Sequence, residues 1–462
     1  MALFLFLWYS ITAMKIFNNS NFYEDTYYKQ SQFSKMLEVA RKAGKEVLYN
    51  AIRYINNCKE ARALKGYVSI QDIFKKYWED FKKKNINLLQ RKGLISSIER
   101  FIKCKDFAYG YTFYECTNCK NYHIIGFTCK SRFCPTCGNK YRDERTVKIS
   151  KKLLDVPHRQ FVFAIPVELR IHFRVHREML SFLFEAVNET FNFLLERSAP
   201  IAYKNEQRKP GIIAFIHTFG RDLKWHPHIH ALVAERFSDK DGNLRKLSYF
   251  HFDMIRITFR NILVNKIKSY YKVKYPKEAK EMTTLLNKLV NEHKKGFYVY
   301  GPQLNKESTL KDAKALTNYI VRYAAHPAIS EKRIVEINYQ TNKIKWFYDP
   351  HEDDDIEDEE KKIGRQYVIE DVYDFIKKLI IHIPTKNFNQ IRYYGFYSNK
   401  CKVKIKNNSL FSIDELNKML DNTKWINNLK KSYGYSPILC YCGHEMVYNE
   451  ELSFYPGEKR NE

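Results

Sequence analysis

The stretch Trp225-His226-Pro227-His228-Ile229-His230-Ala231-Leu232-Val233 reads as a buried strand that carries two histidines one residue apart. Successive side chains of a strand point to opposite faces, so His228 and His230 project from the same face. Neutral imidazole is a common metal ligand, and two ligands on one rigid strand leave a divalent ion with open positions for a substrate oxygen. Because such a pair also arises by chance in a chain with 14 histidines, the surrounding sequence decides what it means.

The composition indicates a globular chain of about two to four domains with a polyanionic partner. Among 462 residues, 79 Lys and Arg stand against 52 Asp and Glu, which gives a net charge of +27, and 44% are hydrophobic. Cationic side chains displace counterions from nucleic acid, and the 34 Tyr and 32 Phe interleaved with them suit the stacking of single-stranded bases. The alternative is an AT-rich coding sequence, which raises Lys together with Asn, Ile and Tyr. We favour nucleic acid as the partner.

Six of the ten cysteines lie between Cys104 and Cys137, which is typical of metal ligation in a reducing cytosol and not of a secreted disulfide framework. Two Cys-x2-Cys pairs within this segment have the spacing of zinc knuckles. The sequence therefore predicts one structural zinc ion with four thiolate ligands, Cys116, Cys119, Cys134 and Cys137. Four sulfur ligands leave the ion no open position, so its expected role is folding and DNA docking.

Further candidate residues surround these pairs. Cys104, Cys129 and His123 are candidate ligands of a second zinc ion, whereas Cys440-x-Cys442 is not counted as a site. Basic residues in the same module are candidates for phosphate contacts, with a solvated charged face as the alternative. They are Lys130, Arg132, Lys140, Arg142 and Arg145.

The segments of the chain differ in character. Residues 1–65 are an N-terminal extension whose apolar start lacks the basic region of a signal peptide and is too short to span a membrane. We therefore expect translation to begin at Met14 and the protein to be cytoplasmic. The units that follow are a helical and zinc-binding domain at 66–150, a catalytic domain at 156–349, a solvated acidic linker at 350–365 and a C-terminal α+β region at 366–462 that contacts DNA.

The catalytic segment alternates strands and helices in the order β-α-β-β-α-β. Besides the histidine strand, hydrophobic periodicity predicts these elements at 160–165, 175–196, 211–219, 252–270 and 296–300. The order is similar to the ferredoxin-like split arrangement, an α+β fold in which helices cover one face of an antiparallel sheet. The histidine strand would be central in that sheet, and a further helix at 310–325 would cross it.

Tyr319 and Tyr323 lie one turn apart in that last helix, so both phenols share a face. A tyrosine that attacks a phosphodiester forms a phosphotyrosine of comparable energy, which can be resealed to another strand without ATP. Tyr271 and Tyr275 have the same spacing, but Pro276 disfavours a helix there. We therefore select Tyr319 and Tyr323 as the candidate nucleophiles, with packed core tyrosines as the alternative.

Two histidines are too few to hold Mg2+ or Mn2+ well, so a third ligand is expected from the neighbouring strand. His217 shares a face with Ile213 and Phe215 and ends nearest the turn, which makes it the preferred ligand, with Asp222 as the alternative. A nearby cationic field would help a phenol, whose pKa is ordinarily about 10, to attack at neutral pH. The candidates for that field are Arg322, Lys332 and Arg333.

Several motifs occur in one order between residues 68 and 445. After the cysteine cluster come His217-Thr218-Phe219-Gly220, the histidine strand, Tyr319-Ile320-Val321-Arg322-Tyr323 and Ile391-Arg392-Tyr393-Tyr394-Gly395-Phe396. In this series the chain resembles the rolling-circle insertion-sequence transposases with an N-terminal zinc-binding domain, which belong to the two-tyrosine HUH (histidine-hydrophobe-histidine) single-strand endonucleases. Two positions depart from the family. Phe133 stands where histidine is common, and Cys440-x-Cys442 is one residue tighter than usual.

The resemblance implies a metal-dependent enzyme that nicks single-stranded DNA at the ends of an element and transfers the strand to target DNA. One tyrosine would form a 5′-phosphotyrosine with the help of Mg2+ or Mn2+, and the second would support strand exchange. Arg132 and Arg392 join the residues expected to contact DNA. Two other functions remain open: a replication initiator or relaxase with the same chemistry, and a zinc-dependent DNA-binding regulator without catalysis.

Overall fold

The computed structural model describes residues 68–119, 121–197, 208–246, 251–301, 315, 318–320, 328–350, 364–424, 426–427, 436, 438–440 and 442–455. The predicted extension at 1–65, most of the acidic run, and both Arg322 and Tyr323 lie outside these residues. Within the described ranges, no helix is long and apolar enough to cross a membrane.

The described chain mixes helices with antiparallel strands, which confirms the predicted α+β class. The helices are α1 (Ile70–Lys84), α2 (Leu94–Ile102), α3 (Pro135–Ser150), α4 (Val167–Val175), α5 (Leu180–Arg197), α6 (Phe252–Lys274), α7 (Ala279–Glu292), α8 (Val372–Ile380) and α9 (Ile413–Thr423). The strands are β1 (Tyr111–Cys116), β2 (Tyr122–Gly126), β3 (His158–Ala164), β4 (Lys209–Phe219), β5 (Trp225–Ser238), β6 (Leu244–Lys246), β7 (Val299–Tyr300), β8 (Ile334–Asn338), β9 (Lys343–Tyr348), β10 (Gln366–Asp371), β11 (Ile391–Gly395) and β12 (Met446–Phe454).

The histidine strand β5 lies inside the largest sheet. The strand order is β11-β4-β5-β3-β7, with β6 paired to the end of β5, and every pairing is antiparallel. Because β4 pairs along one side of β5 and β3 along the other, the histidine strand is central, as predicted. Strands β3 and β5 are neighbours at the centre of this sheet. β4 pairs with the other side of β5, and β7 pairs with the other side of β3.

The two faces of this sheet have different surroundings. One face belongs to the main hydrophobic core, where β4 and β5 meet α4, α5, α6 and α7. The opposite face, here called the histidine face, carries Ile213 and Phe215 and packs against Tyr319 and the end of α3. The histidines of β4 and β5 project from this second face, because they alternate with the residues that enter the main core.

Helix α6 continues further than predicted. It runs through Tyr271 to Lys274, and the Tyr275 N–H still donates to the Tyr271 carbonyl. A proline restricts the residue before it, so a helix can run up to that residue and end there. The inference that Pro276 keeps Tyr271 out of a helix is therefore wrong.

Strands of the C-terminal region pair with strands of both the histidine sheet and the N-terminal zinc-binding segment. β11 extends the histidine sheet beside β4, and β12 pairs with β1 in a small sheet of order β12-β1-β2. A third sheet, β10-β9-β8, packs together with α8 against α1 and α2 around the buried Trp346. A strand edge exposes unpaired hydrogen-bonding groups, and β11 satisfies those along β4. The predicted boundary at 350–365 therefore does not separate the catalytic sheet from the C-terminal region.

Strand β11 approaches β4 most closely at a glycine pair. Gly395 lies opposite Gly211, and the buried Phe396 lies directly over Gly211. A Cβ atom added at Gly211 would come within 2.0 Å of the Phe396 ring. Any larger residue at position 211 would therefore collide with the Phe396 ring.

We expect Gly211→Ala to lower the free energy of unfolding by about 1–3 kcal/mol, the usual cost of overpacking a core. Phe396→Ala removes the ring, so the same methyl group then has room. The two changes should therefore be strongly non-additive. Urea unfolding of the wild type, the two single variants and the double variant measures the coupling, and simply additive costs would contradict the packing described.

Candidate functional site

Three imidazole rings converge on the histidine face. His217 lies opposite His228 in the β4–β5 pairing, and His230 is the next residue of β5 on that face. The Nε2 atoms of His228 and His230 are 3.1 Å apart, and the His217 ring centroid lies 5.7 and 4.9 Å from those of His228 and His230. One ring nitrogen of each residue lies within 4.8 Å of the other two. This arrangement can hold one metal ion and leave positions for water or a substrate oxygen.

Asp222, the alternative third ligand, has other contacts. Its carboxylate accepts a hydrogen bond from the Lys224 backbone N–H at 3.0 Å and lies 3.3 Å from Lys224 Nζ, within the β4–β5 turn. The structure thus brings His217, and not Asp222, together with His228 and His230.

The β4–β5 turn is held by His382, which follows α8. The His382 Nε2–H donates to the Leu223 carbonyl at 3.0 Å, and Nδ1 accepts from the Thr218 hydroxyl at 3.2 Å. The ring stacks on Trp225 with 5.9 Å between centroids. Burial lowers the pKa of His382 to about 3, so the ring is neutral at physiological pH. Its contacts support Leu223, which has a φ of +63°, and thereby the turn that aligns the metal-ligand strands.

Tyr319 lies on the histidine face. Its ring contacts Phe215 edge to face, with 6.3 Å between centroids, and Phe215 is the cross-strand partner of His230. The helical residues 318–320 therefore lie over the histidine sheet at Phe215. The rejected alternative Tyr271 belongs to the main core on the other face, where its hydroxyl pairs with His172 Nδ1 at 2.9 Å.

The cysteines form two groups of four. The α3 cysteine group consists of Cys104, Cys129, Cys134 and Cys137, and the terminal cysteine group consists of Cys116, Cys119, Cys440 and Cys442. The predicted single site of Cys116, Cys119, Cys134 and Cys137 is therefore wrong in its pairing. The first pair lies at the β1–β2 hairpin, whereas the second begins α3, and the two pairs find different partners. Cys104 and Cys129 are brought to one of the groups, and His123 to neither.

The α3 cysteine group has the dimensions of a tetrahedral zinc site. Three of the six sulfur-sulfur distances are 3.6 Å for Cys104–Cys137, 3.6 Å for Cys129–Cys137 and 3.8 Å for Cys104–Cys134. A zinc ion with Zn–S bonds of about 2.3 Å requires edges of about 3.8 Å. Hydrogen bonds from the neighbouring thiols, that of Cys104 first, lower the pKa of Cys137, which favours the thiolate that metal binding needs.

Phe133, the residue that departs from the related family, contributes to packing. Its ring lies edge to face with Phe74 and Phe101, at centroid distances of 5.4 and 5.0 Å. The four thiols of the α3 cysteine group thus need no histidine at this position, and the aromatic ring joins the group to α1 and α2.

Two arginines that were predicted to contact DNA, Arg392 and Arg333, make hydrogen bonds within the protein. Arg392 projects to the helix-covered face, where its guanidinium donates to Ser181 Oγ at 2.8 Å and lies over Phe184. The alternation of β11 points Arg392 away from the histidine face, and its contact with DNA stays a prediction. Arg333 donates to the carbonyls of Phe347, at 2.7 Å, and Arg221. Lys332 is exposed.

A set of aromatic and basic side chains lies along α3 and β11. Arg132 and Arg145 lie over the Tyr141 ring, at 4.0 and 4.9 Å from its centroid. Arg132 also donates to the Tyr141 hydroxyl and to Gln390. Tyr393 belongs to the histidine face, and Lys152 Nζ lies 5.1 Å from its ring. The sequence reasoning named the two arginines and missed both tyrosines, although the i,i+4 spacing of Tyr141 and Arg145 was a usable signal.

Comparisons with known proteins agree with this geometry. A Y2 family described as "Putative transposase" matches residues 211–404, and the IS91-type transposase zinc-binding domain matches residues 73–165. The transposase for insertion sequence element IS801 of Pseudomonas savastanoi pv. phaseolicola is 26% identical over 327 residues, which are 68% of this chain and 73% of that protein. These matches support an IS91/IS801-family (Y2) transposase with an N-terminal transposase zinc-binding domain.

A second relative of the transposase is "Putative transposase y4qJ" of Sinorhizobium fredii (strain NBRC 101917 / NGR234), 24% identical over 345 residues, 72% of this chain and 80% of that protein. No solved structure shows a significant match. The Y2 match contains the three histidines and Tyr319, and the zinc-binding match contains the whole α3 cysteine group. The zinc-binding domain and the two cysteine groups support Zn2+ as a structural cofactor of this transposase.

The pKa of His382 leads to a prediction about stability against pH. The unfolded chain binds a proton at this residue below about pH 6.5, whereas the folded chain does so only near pH 3. The His382 contribution is therefore complete above pH 6.5 and falls by up to about 1.4 kcal/mol for each pH unit below it. In urea unfolding between pH 7.5 and 4.5, we expect His382→Gln to lose stability less steeply than the wild type.

Thr218→Val is the matched control for this prediction. It removes the hydroxyl that bonds His382 Nδ1 but keeps the titrating ring, so it should lower stability and retain the steep pH dependence. Parallel curves for the wild type and His382→Gln would contradict the assigned role of His382.

Proposed function

We propose that this transposase acts in the cytoplasm, nicks single-stranded DNA at the ends of its insertion sequence and transfers the strand to a target through a 5′-phosphotyrosine intermediate. The observation that carries the proposal is the convergence of three imidazoles on the same sheet face as Tyr319. Metal ligands and a phenol held on one rigid sheet suit tyrosine attack on a phosphodiester. The strand order of β3, β4, β5 and β7 supports a ferredoxin-like HUH domain as the scaffold.

The donor atoms of the site fit a divalent transition metal. His217, His228 and His230 supply nitrogen atoms, and within the described residues no carboxylate belongs to their group. Nitrogen ligands bind first-row transition metals better than they bind Mg2+, which prefers oxygen ligands, so we rank Mn2+ ahead of Mg2+. A bound ion would polarise the scissile phosphate and neutralise the charge that develops on it.

Tyr319 is the candidate nucleophile whose position is described. Its hydroxyl oxygen would form a bond to the scissile phosphorus as the bond to the 3′ oxygen breaks. The phenol proton leaves, and the departing strand ends in a 3′ hydroxyl. Packing against Phe215 keeps the ring on the histidine face, which reduces the entropy that attack must overcome. We propose that Tyr323, four residues further along the chain, serves the second strand-exchange step.

The single strand would approach along α3 and β11. Tyr141 and Tyr393 offer aromatic rings for base stacking, and Arg145 and Lys152 offer charges for phosphates. α3 begins at its cysteine group, so a structural zinc ion there would fix the orientation of this DNA-binding surface.

The first test concerns the metal ligands. We expect His228→Ala to reduce Mn2+-dependent nicking of single-stranded oligonucleotides from the flanks of the gene by more than about 100-fold, because losing a ligand should exceed the 10–100-fold cost of losing an outer-shell partner. His217→Ala should show a comparable loss. The exposed His251→Ala is the control and should nick like the wild type. Near wild-type nicking by His228→Ala would end the metal-site proposal.

The second test concerns the tyrosines. With single-stranded element ends, peptide mapping should locate the covalent DNA adduct at Tyr319 or Tyr323. One single Phe substitution should block the initial nick, and the other should spare nicking but impair joining to a second, unrelated oligonucleotide. The double variant should form no adduct, and Tyr271→Phe, on the other face of the sheet, should behave like the wild type. An adduct in the double variant would show that another residue attacks.

The same assay separates the alternative functions. A replication initiator or relaxase would form the adduct without joining the strand to an unrelated target. A DNA-binding regulator without catalysis would form no adduct. Efficient joining to a second target is the result that the transposase proposal requires.

A further inference from the structure

The terminal cysteine group joins parts of the chain that are more than 300 residues apart. Cys116 Sγ lies 3.5 Å from Cys442 Sγ, across 326 positions of sequence, and Cys119 Sγ lies 3.4 Å from Cys440 Sγ. All four sulfur atoms lie within 4.8 Å of one another. Cys116 and Cys440 are buried, whereas Cys119 and Cys442 are exposed, so the group lies at the surface with half of its ligands covered.

Each pair of cysteines belongs to a tight turn. The Cys116 N–H donates to the Asn121 carbonyl at 2.7 Å, and the Cys440 N–H donates to the His444 carbonyl at 2.9 Å. Gly443, with a φ of +84°, allows the second turn to close although only one residue separates its two cysteines. Two turns that present two thiols each are the arrangement of a four-cysteine structural zinc site.

Little apolar packing supports this corner of the molecule. Its buried cluster contains Cys116, Cys440 and Met446, with Tyr114 packed against it. β12 nevertheless pairs with β1 at five positions, from Met446 opposite Cys116 to Phe454 opposite Tyr111. Outside this small buried cluster, the apolar contacts of β12 are ring contacts such as Tyr114–Tyr448 and Tyr111–Phe454, and ordering the strand costs conformational entropy. Metal ligation would supply the missing free energy.

Disulfides are the alternative use of the same four cysteines. A disulfide requires a sulfur-sulfur distance of about 2.05 Å, so the 3.4 and 3.5 Å contacts would have to shorten by more than 1 Å. A tetrahedral zinc site requires edges of about 3.8 Å, which is much closer to the observed spacing. Four thiols brought together at once also fit a single ion better than two independent bonds.

We propose that Cys116, Cys119, Cys440 and Cys442 bind a second structural zinc ion, which fastens strand β12 to the N-terminal zinc-binding domain. The family match to that domain ends at residue 165 and therefore contains only two of the four ligands. The domain is completed by the C-terminal end of the chain, so the second ion can be held only after both segments are present. The proposal is independent of the nicking chemistry.

Elemental analysis of the purified full chain tests the proposal. We expect two zinc ions per chain in the wild type and one in Cys440→Ser/Cys442→Ser. Cys401→Ser is the matched control, because Cys401 belongs to neither group, and it should keep both ions. Cys129→Ser/Cys134→Ser should also lose one ion, from the α3 cysteine group. Limited proteolysis of Cys440→Ser/Cys442→Ser should release the β12 segment while the histidine sheet stays intact.

Cysteine labelling of the wild type tests the same proposal without variants that could fail to fold. Iodoacetamide should label Cys401 in the metal-loaded chain and should label Cys440 and Cys442 only after a chelator has removed zinc, in parallel with Cys116 and Cys119. One zinc ion per wild-type chain, an unchanged zinc content in Cys440→Ser/Cys442→Ser, or disulfides among these four cysteines in protein purified under reducing conditions would each overturn the proposal.

Discussion

The antiparallel register between β4 and β5 is the constraint on which the candidate active site depends. It pairs His217 with His228 and, on the other face, Ile216 with Ile229 in the main core. A shift of one residue would exchange the two faces, moving Ile216 and Ile229 to the histidine face and the imidazoles into the main core. Each buried isoleucine contributes about 1.5–3 kcal/mol, so the apolar face determines the register. The geometry of the metal ligands is therefore a consequence of hydrophobic packing on the side of the sheet where the ligands do not lie.

Helix α3 connects the histidine face to the zinc-binding domain. Cys134 caps the N-terminus of α3, and Pro135 is its first residue. Near the other end of the helix, Ile149 packs into the buried cluster on the histidine face. A rigid helix that is held at both ends transmits the position of its first turn to its last. Ligation of the α3 cysteine group would thus orient Tyr141 and Arg145, which lie along the same helix. The α3 cysteine group and the histidine face need not touch in order to depend on each other.

Local patterns predicted much of this arrangement, because they report which residues face the core. Strand β4 covers the predicted strand at 211–219, β5 is central as predicted, and the alternation of β4 singled out His217. Local patterns did not predict which residues from distant segments contact each other. Cysteine spacing indicates that thiols gather but not which pairs meet, and Arg392 could be assigned to a face only once β11 was paired with β4. Both the cysteine pairing and the face of Arg392 depend on contacts between segments far apart in sequence.

Such contacts are abundant at the C-terminal end of the chain, and polymer physics explains why they are tolerated. The entropy of closing a loop grows with the logarithm of its length, so joining residues 300 positions apart costs only about 2 kcal/mol more than joining residues 30 apart. Three C-terminal contacts are formed at this small additional entropy cost: β11 pairs with β4, His382 bonds the β4–β5 turn, and β12 pairs with β1. A chain that ends before α8 would contain all three histidines and both candidate tyrosines, yet would lack His382 and the strand that covers the edge of β4. Alignment of the candidate active site therefore depends on residues that are synthesised after the residues that form it.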